Sequence, residues 1–266
     1  MFGLLAPLLA GCADLALASP LDRSLAEAWP LAAPADVDQL AARYGLVVEA
    51  AAGDVVAALP GGAITGKAAG AADLPGYERM LAAEWALYPP ALVARSGLKR
   101  LVLCDRLAFG GQARAAVPDQ PHNTLYLDVA TSTMAYRRAV LHHEYFHMID
   151  LADDRALFAD AGWAGLNRPD FAYDRGGASR QGRSDQFGLV DNQPGFLTAY
   201  ATAAVEEDKA ETFCFLMLDP AGVEARGARD PIVGFKVDRL KALLAAFVPA
   251  LDGAYWETLK ALRARP

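Results

Sequence analysis

The chain of 266 residues is 54% hydrophobic, 9% aromatic and 21% charged, a folding composition that rules out a disordered chain. At this length roughly three quarters of the unfolded surface can be buried, which suits one large domain or a domain with a small appendage. A formal charge of -7 argues against a general nucleic-acid binder, whose basic face must displace counterions from phosphates.

The first segment, Phe2 to Ala10, is apolar but too short to span a bilayer as a helix. It ends in Leu9-Ala10-Gly11-Cys12, which resembles a bacterial lipobox, although no Lys or Arg occurs before Arg23. That resemblance implies a signal peptide over residues 1–12, a lipid anchor at Cys12 and export to the periplasmic side of the cell envelope. Secretion is expected if the lipobox is unused. Residues 13–35 read as a tether with a first helix near Leu25 to Trp29. Residues 45–59 read as two short strands around Gly53-Asp54. A Gly/Ala loop from Gly61 to Ala72 follows, dividing an N-terminal extension (13–72) from a main domain (73–266).

In the main domain, Tyr77, Leu81, Trp85 and Tyr88 recur near helical spacing, and Pro89-Pro90 ends that helix. Leu101 to Cys104 is a buried strand, and Thr124 to Val129 alternates as another. Thr131 to Asp150 is a helix with Thr131 or Ser132 as its N-cap. Residues 152–195 are loop-dominated, and a loop that long in a compact domain is usually functional. Within it, Trp163 to Tyr173 is the part expected to be ordered, the stretch 163–196 is expected to close over a cleft, and Arg175, Arg180 and Arg183 read as surface charge. Helices are expected at Val205 to Leu218, Ile232 to Phe247 and Gly253 to Leu262. The whole is an α+β chain, mostly helical with a small sheet. With Cys12 lipidated, Cys104 and Cys214 remain; they read as two buried free thiols, and a pairing between them is the alternative.

The chemistry concentrates in His143-Glu144-Tyr145-Phe146-His147. Positions i and i+4 of a helix differ by roughly 40° in direction and one turn in height, so both imidazoles reach one point. That spacing suits a metal taking tetrahedral nitrogen ligands, and Glu144 sits where a general base can reach a metal-bound water. Val140, Leu141, Met148 and Ile149 flank the motif with no other charge between, as a buried metal helix requires. His142 points roughly 100° away from His143 and reads as a core residue.

A catalytic zinc site usually has three protein ligands. His122, the one other His, lies in a Pro-rich loop, which leaves a carboxylate as third ligand. Glu207 and Glu211 are again i and i+4, on one face with Cys214 and Leu218. Glu206 and Asp208 read as charges favoured at a helix N-terminus.

The pattern H-E-x-x-H, about sixty residues, then E-x-x-x-E resembles the gluzincin metallopeptidases. Tyr200, seven residues before Glu207, makes the segment similar to the catalytic domain of anthrax lethal factor, the Pro-Pro endopeptidases and bacterial lipoprotein families described as zinc-binding metallopeptidases. The resemblance covers roughly residues 95–218. It implies a zincin-like fold in which the strand before the metal helix is a sheet edge that binds peptide by strand addition. It implies one zinc held by His143, His147 and Glu207, with Glu211 hydrogen-bonding a ligating His. It implies catalysis by Glu144 as base and Tyr200 at the scissile carbonyl or leaving group. The expected activity is endopeptidase hydrolysis of a peptide or protein substrate by a monomer that meets membrane only through the Cys12 anchor.

Three rival readings stand beside it. Asp150 and Asp153 follow His147 at short-spacer zincin distances, but Asp150 takes the position where a Gly turns the chain. Gly61 to Ala68 nearly matches a phosphate-binding loop, with Ala68 where Ser or Thr must hold magnesium and no helix following. A zincin fold can also serve as a binding lipoprotein without turnover.

Overall fold

A computed structural model describes residues 34–130, 133–156, 158–174 and 188–264. The expectations at Cys12, Leu25 to Trp29, Thr131, Ser132, Arg175, Arg180 and Arg183 lie outside those residues. The described chain is α+β, about half helical with one small mixed sheet.

The sheet is built around one long strand. Strands β1 (Val47–Ala50), β2 (Val55–Leu59), β3 (Gly62–Lys67), β4 (Arg100–Phe109), β5 (Gln112–Ala113), β6 (Ala116–Asp119) and β7 (Thr124–Asp128) run in the order β2-β3-β4-β7-β6, with β1 and β5 also on β4. In its first half β4 lies parallel to both β1 and β7, Leu101 facing Val48 on one side and Leu125 on the other. Leu101 to Cys104 are all buried, the continuous apolar run of a strand covered on both faces. At Arg106 the chain takes φ +51°, the Leu107 N–H bonds the Asp128 carboxylate at 2.9 Å, and the second half pairs antiparallel with β3 and β5.

Two expectations fail here. The stretch Gly61 to Ala72, read as a loop, contains β3, which pairs with β2 and β4. Its glycines dilute the strand signal, and pairing with neighbours decides the outcome where propensity is weak. Lys67 ends that strand in an exposed ion pair with Asp54, at 2.7 Å, so this is no phosphate-binding loop leading into a helix. The strand before the metal helix, β7, is also not an edge. It lies between β4 and β6, and β6 is the edge. The sequence Ala-Val-Pro-Asp of β6 hides a strand behind Pro118, a residue confined to sheet edges because it cannot donate to a further ladder.

Helices α1 (Val37–Tyr44), α2 (Leu74–Trp85) and α3 (Pro90–Arg95) precede β4. Helix α4 (Met134–Asp154) follows β7, then the short α5 (Ala161–Ala164), α6 (Val205–Leu218), α7 (Pro220–Arg229), α8 (Pro231–Phe247) and α9 (Gly253–Arg263). The N-cap of α4 is Thr133, whose side chain accepts from the Tyr136 N–H, rather than Thr131 or Ser132. Helix α4 is packed on nearly every side along its middle turns, where Ala139, Leu141, Tyr145, Phe146, Met148 and Ile149 are buried together with its three histidines. Tyr145 meets Trp85 and Tyr88 of the α2 region at ring distances of 4.7 and 4.9 Å, and Phe146 meets Phe213 of α6 at 5.0 Å. Tyr77, Leu81, Trp85 and Tyr88 are all buried, as their spacing predicts. Cys104 and Cys214 are free and buried.

Candidate metal centre

The site is formed where α4 and α6 face one another. One turn apart on α4, His143 and His147 bring their Nε2 atoms to 3.2 Å. Helix α6 brings Glu207 Oε2 to 2.9 Å from His143 Nε2 and 3.6 Å from His147 Nε2. Among the described residues these three are the group whose donor atoms lie together, all within 4.8 Å of one another. Residues 64 apart in sequence meet there, as the i, i+4 patterns on both helices predict.

The surrounding bonds assign the protons. The Nδ1 of His143 lies 2.7 Å from Glu211 Oε1, and the other oxygen of Glu211 accepts from the Thr198 hydroxyl at 2.7 Å. The Tyr200 hydroxyl donates to Glu207 Oε1 at 2.9 Å, which leaves Oε2 aimed at the two imidazoles. A carboxylate only accepts, so the bond to Glu211 keeps a proton on His143 Nδ1, and Nε2, facing Glu207 Oε2, is the nitrogen that would offer its lone pair to a metal in place of a proton. His147 Nδ1 is buried without a partner among the described residues.

The donor set fits zinc. Zinc bonds of about 2.0–2.2 Å to nitrogen and oxygen set tetrahedral donors roughly 3.3 Å apart, inside the observed spread. Two imidazole nitrogens and a carboxylate oxygen converging on one point are a good ligand set for a dication. Electrostatics agrees. Burial alone would raise the Glu207 carboxyl, but hydrogen bonds and charges from His143 and His147 outweigh it and hold it well below the usual carboxylate range. Burial acts to lower His143, yet its bonds to Glu207 and Glu211 raise it well above an ordinary imidazole. Burial pushes the Glu144 carboxyl up, with His143 and His147 opposing, so this carboxylate is more basic than one in water.

Other residues fall outside the cluster. His122 is exposed and bonds Asp119 at 2.9 Å. His142 is fully buried, with Nε2 3.0 Å from Glu84 and Nδ1 on the Tyr88 hydroxyl, as a core residue. Helix α4 runs straight through Asp150 and Asp153. Asp150 is taken by Lys209 at 2.6 Å and Asp153 is exposed, so neither completes a short-spacer site.

Asp208 corrects the expectation of a solvated helix-terminal charge. It is 1% exposed, and one of its oxygens accepts from Lys236 at 2.7 Å, Tyr173 at 2.7 Å and Trp163 at 2.8 Å. Lys236 also donates to the Gly195 carbonyl at 2.7 Å. The residue beside Glu207 therefore pins both ends of the loop segment, Trp163 and Tyr173 at its start and Gly195 at its end. Sequence reading also missed Thr198, just after that loop and two residues before Tyr200, because no spacing marks a single hydroxyl as a partner of Glu211.

No protein-family model matches the chain, and no curated protein matches it. The fold is similar to a crystal structure of a "putative zinc-binding metallo-peptidase" from Bacteroides caccae, with a TM-score of 0.51 over 92% of this chain and 94% of that one. At 14% identity this likeness shows a shared fold.

Proposed function

We propose that the protein is a zinc-dependent peptidase of the gluzincin type, using His143, His147 and Glu207 as ligands. The observation that carries this reading is the convergence of three lone-pair atoms, with Glu144 between the two histidines in sequence and one Glu207 oxygen turned inward by Tyr200. Bound there, zinc would supply Lewis acidity, making a water more acidic and a carbonyl more electrophilic.

The chain's own groups then do the proton work. Glu144 takes a proton from the water that attacks the peptide carbonyl and delivers it to the leaving amine nitrogen as the C–N bond breaks. Its raised basicity suits both transfers. Glu211 holds the Nδ1 proton of His143 and fixes its tautomer. The Tyr200 hydroxyl, lodged on Glu207, turns to the carbonyl oxygen as negative charge develops there.

Envelope anchoring through Cys12 belongs to the same proposal and rests on Leu9 to Cys12 alone. Radiolabelled palmitate incorporated by the full chain, and not by Cys12→Ser, supports it; no label in either removes it. The test of the chemistry is Glu144→Gln. The variant should keep one zinc by elemental analysis and lose hydrolysis of a peptide library by roughly 100-fold or more. Undiminished hydrolysis would overturn the mechanism, and a zinc-loaded parent that cleaves no peptide would favour a binding protein without turnover.

A further inference from the structure

We infer that Thr198 is a positioning residue of this centre, one buried hydroxyl that sets the His143 imidazole through Glu211 and fixes the turn carrying Tyr200. The inference rests on the metallopeptidase reading above and concerns how the ligand set is held.

Thr198 is fully buried, so its hydroxyl must find both its partners inside the protein. Its proton goes to Glu211 Oε2 at 2.7 Å, a direction fixed by the carboxylate, which has nothing to donate. Its lone pair accepts the Ala201 N–H at 3.1 Å. Glu211 then has one oxygen committed to Thr198 and the other to His143 Nδ1 at 2.7 Å. With both ends tied, the carboxylate plane cannot rotate, and it holds the imidazole with Nε2 toward Glu207 and His147. The Ala201 bond acts on the opposite side of the site. It sits in the 3-10 turn Tyr200–Thr202, whose first residue donates to Glu207 Oε1 at 2.9 Å. A single hydroxyl thus reaches a nitrogen ligand through Glu211 and the carboxylate ligand through Tyr200. Removing it leaves a buried carboxylate oxygen and a buried N–H unpaired, next to groups whose orientation decides the metal geometry.

Loss of outer partners typically weakens metal binding about 10–100-fold, and Thr198 stands one bond beyond the direct partner, so the lower end is expected. Zinc affinity is measured by chelator competition on the full chain for the parent, Thr198→Val and Thr198→Ser, each also in a Glu211→Gln background. Thr198→Val should bind roughly tenfold more weakly, while Thr198→Ser binds as the parent does. In the Glu211→Gln background Thr198→Val should cost clearly less than in the parent, because the arm through Glu211 is already gone and only the one through Ala201 remains. In metal-free, histidine-labelled protein the His143 Nδ1–H resonance should be present in the parent and in Thr198→Ser, and lost to solvent exchange in Thr198→Val. Parent-like zinc affinity in Thr198→Val, or an equal loss in both backgrounds, would overturn the role of Thr198. If the valine does not fold, Thr198→Ala is judged by the same criteria. A parent protein that binds no zinc overturns the metallopeptidase reading itself, whereas a zinc-binding parent with an indifferent Thr198→Val overturns this inference alone.

Discussion

Replacing Asp208 by Asn tests the pin beside the metal centre without touching a ligand. The carboxylate is buried, and so is its partner: Asp208 and Lys236 are 1% and 2% exposed and 2.7 Å apart. In Asp208→Asn the Lys236 ammonium keeps the Gly195 carbonyl and the face of Phe196, 3.7 Å away, but loses its counter-charge. The hydroxyl of Tyr173 and the indole N–H of Trp163 lose a charged acceptor as well. Stranding one member of a buried pair costs about 3–5 kcal/mol. For a domain of this size each kcal/mol shifts Tm by roughly 2–4 °C, so Tm should fall by roughly 6–20 °C. The assay is thermal unfolding followed by circular dichroism in excess chelator, which keeps metal binding out of the comparison. A double change, Asp208→Leu with Lys236→Met, removes the stranded charge and should recover only part of the loss, because the Trp163 N–H, the Tyr173 hydroxyl and the Gly195 carbonyl lose these partners. A Tm for Asp208→Asn within about 2 °C of the parent would refute the reasoning, since 3 kcal/mol cannot hide in so small a shift.

Glu207→Ala should bind zinc at least about tenfold more weakly than the parent, so the rise of Tm with added zinc should need at least about tenfold more metal in the variant; equal stoichiometry and equal affinity would remove Glu207 from the ligand set. Tyr200→Phe should lower kcat more than it changes KM, because the hydroxyl is needed where charge develops; a change in KM alone would make it a substrate-binding residue. Burial tends to raise the Glu84 carboxyl, but its bonds with His142 and Arg263 hold it below its ordinary value of 4.5. A depressed carboxyl gives stability that is present above 4.5 and lost as pH falls below it, so Glu84→Gln should be less stable at neutral pH and show a flatter acid limb in denaturant unfolding; parallel limbs would deny Glu84 that part.

What the sequence made legible was periodic. That His143 and His147 converge, and that Glu207 and Glu211 share a face, followed from two i, i+4 pairs; the resemblance to gluzincins singled out Glu207, and the burial of Tyr77, Leu81, Trp85 and Tyr88 followed from helical spacing. What stayed hidden depended on partners far along the chain. Asp208 read as an ordinary helix-terminal charge of α6 and Lys209 carried no signal at all; the approach of Lys236 from α8 and of Asp150 from α4 offsets the cost of burying them. Strands β3 and β6 are short and carry Gly62, Gly66 and Pro118, so local preference argued against them while the ladders of β4 and β7 enforced them. Thr198 belongs to no pattern, because its importance lies in which two groups its single oxygen joins.

Cys214 offers a built-in clock for the parting of the two ligand-bearing helices. Its thiol is buried on α6, 3.3 Å from the Ala139 carbonyl of α4, and burial raises its pKa well above that of an ordinary thiol. A maleimide or disulfide reagent can reach it only when that seam opens, so the labelling rate of Cys214, told apart from Cys104 by peptide mapping, reports how much of the time the seam is open. An ion clasped by both helices should slow that rate in proportion to its occupancy, and the unaltered thiol would then read out metal loading without any substrate at all.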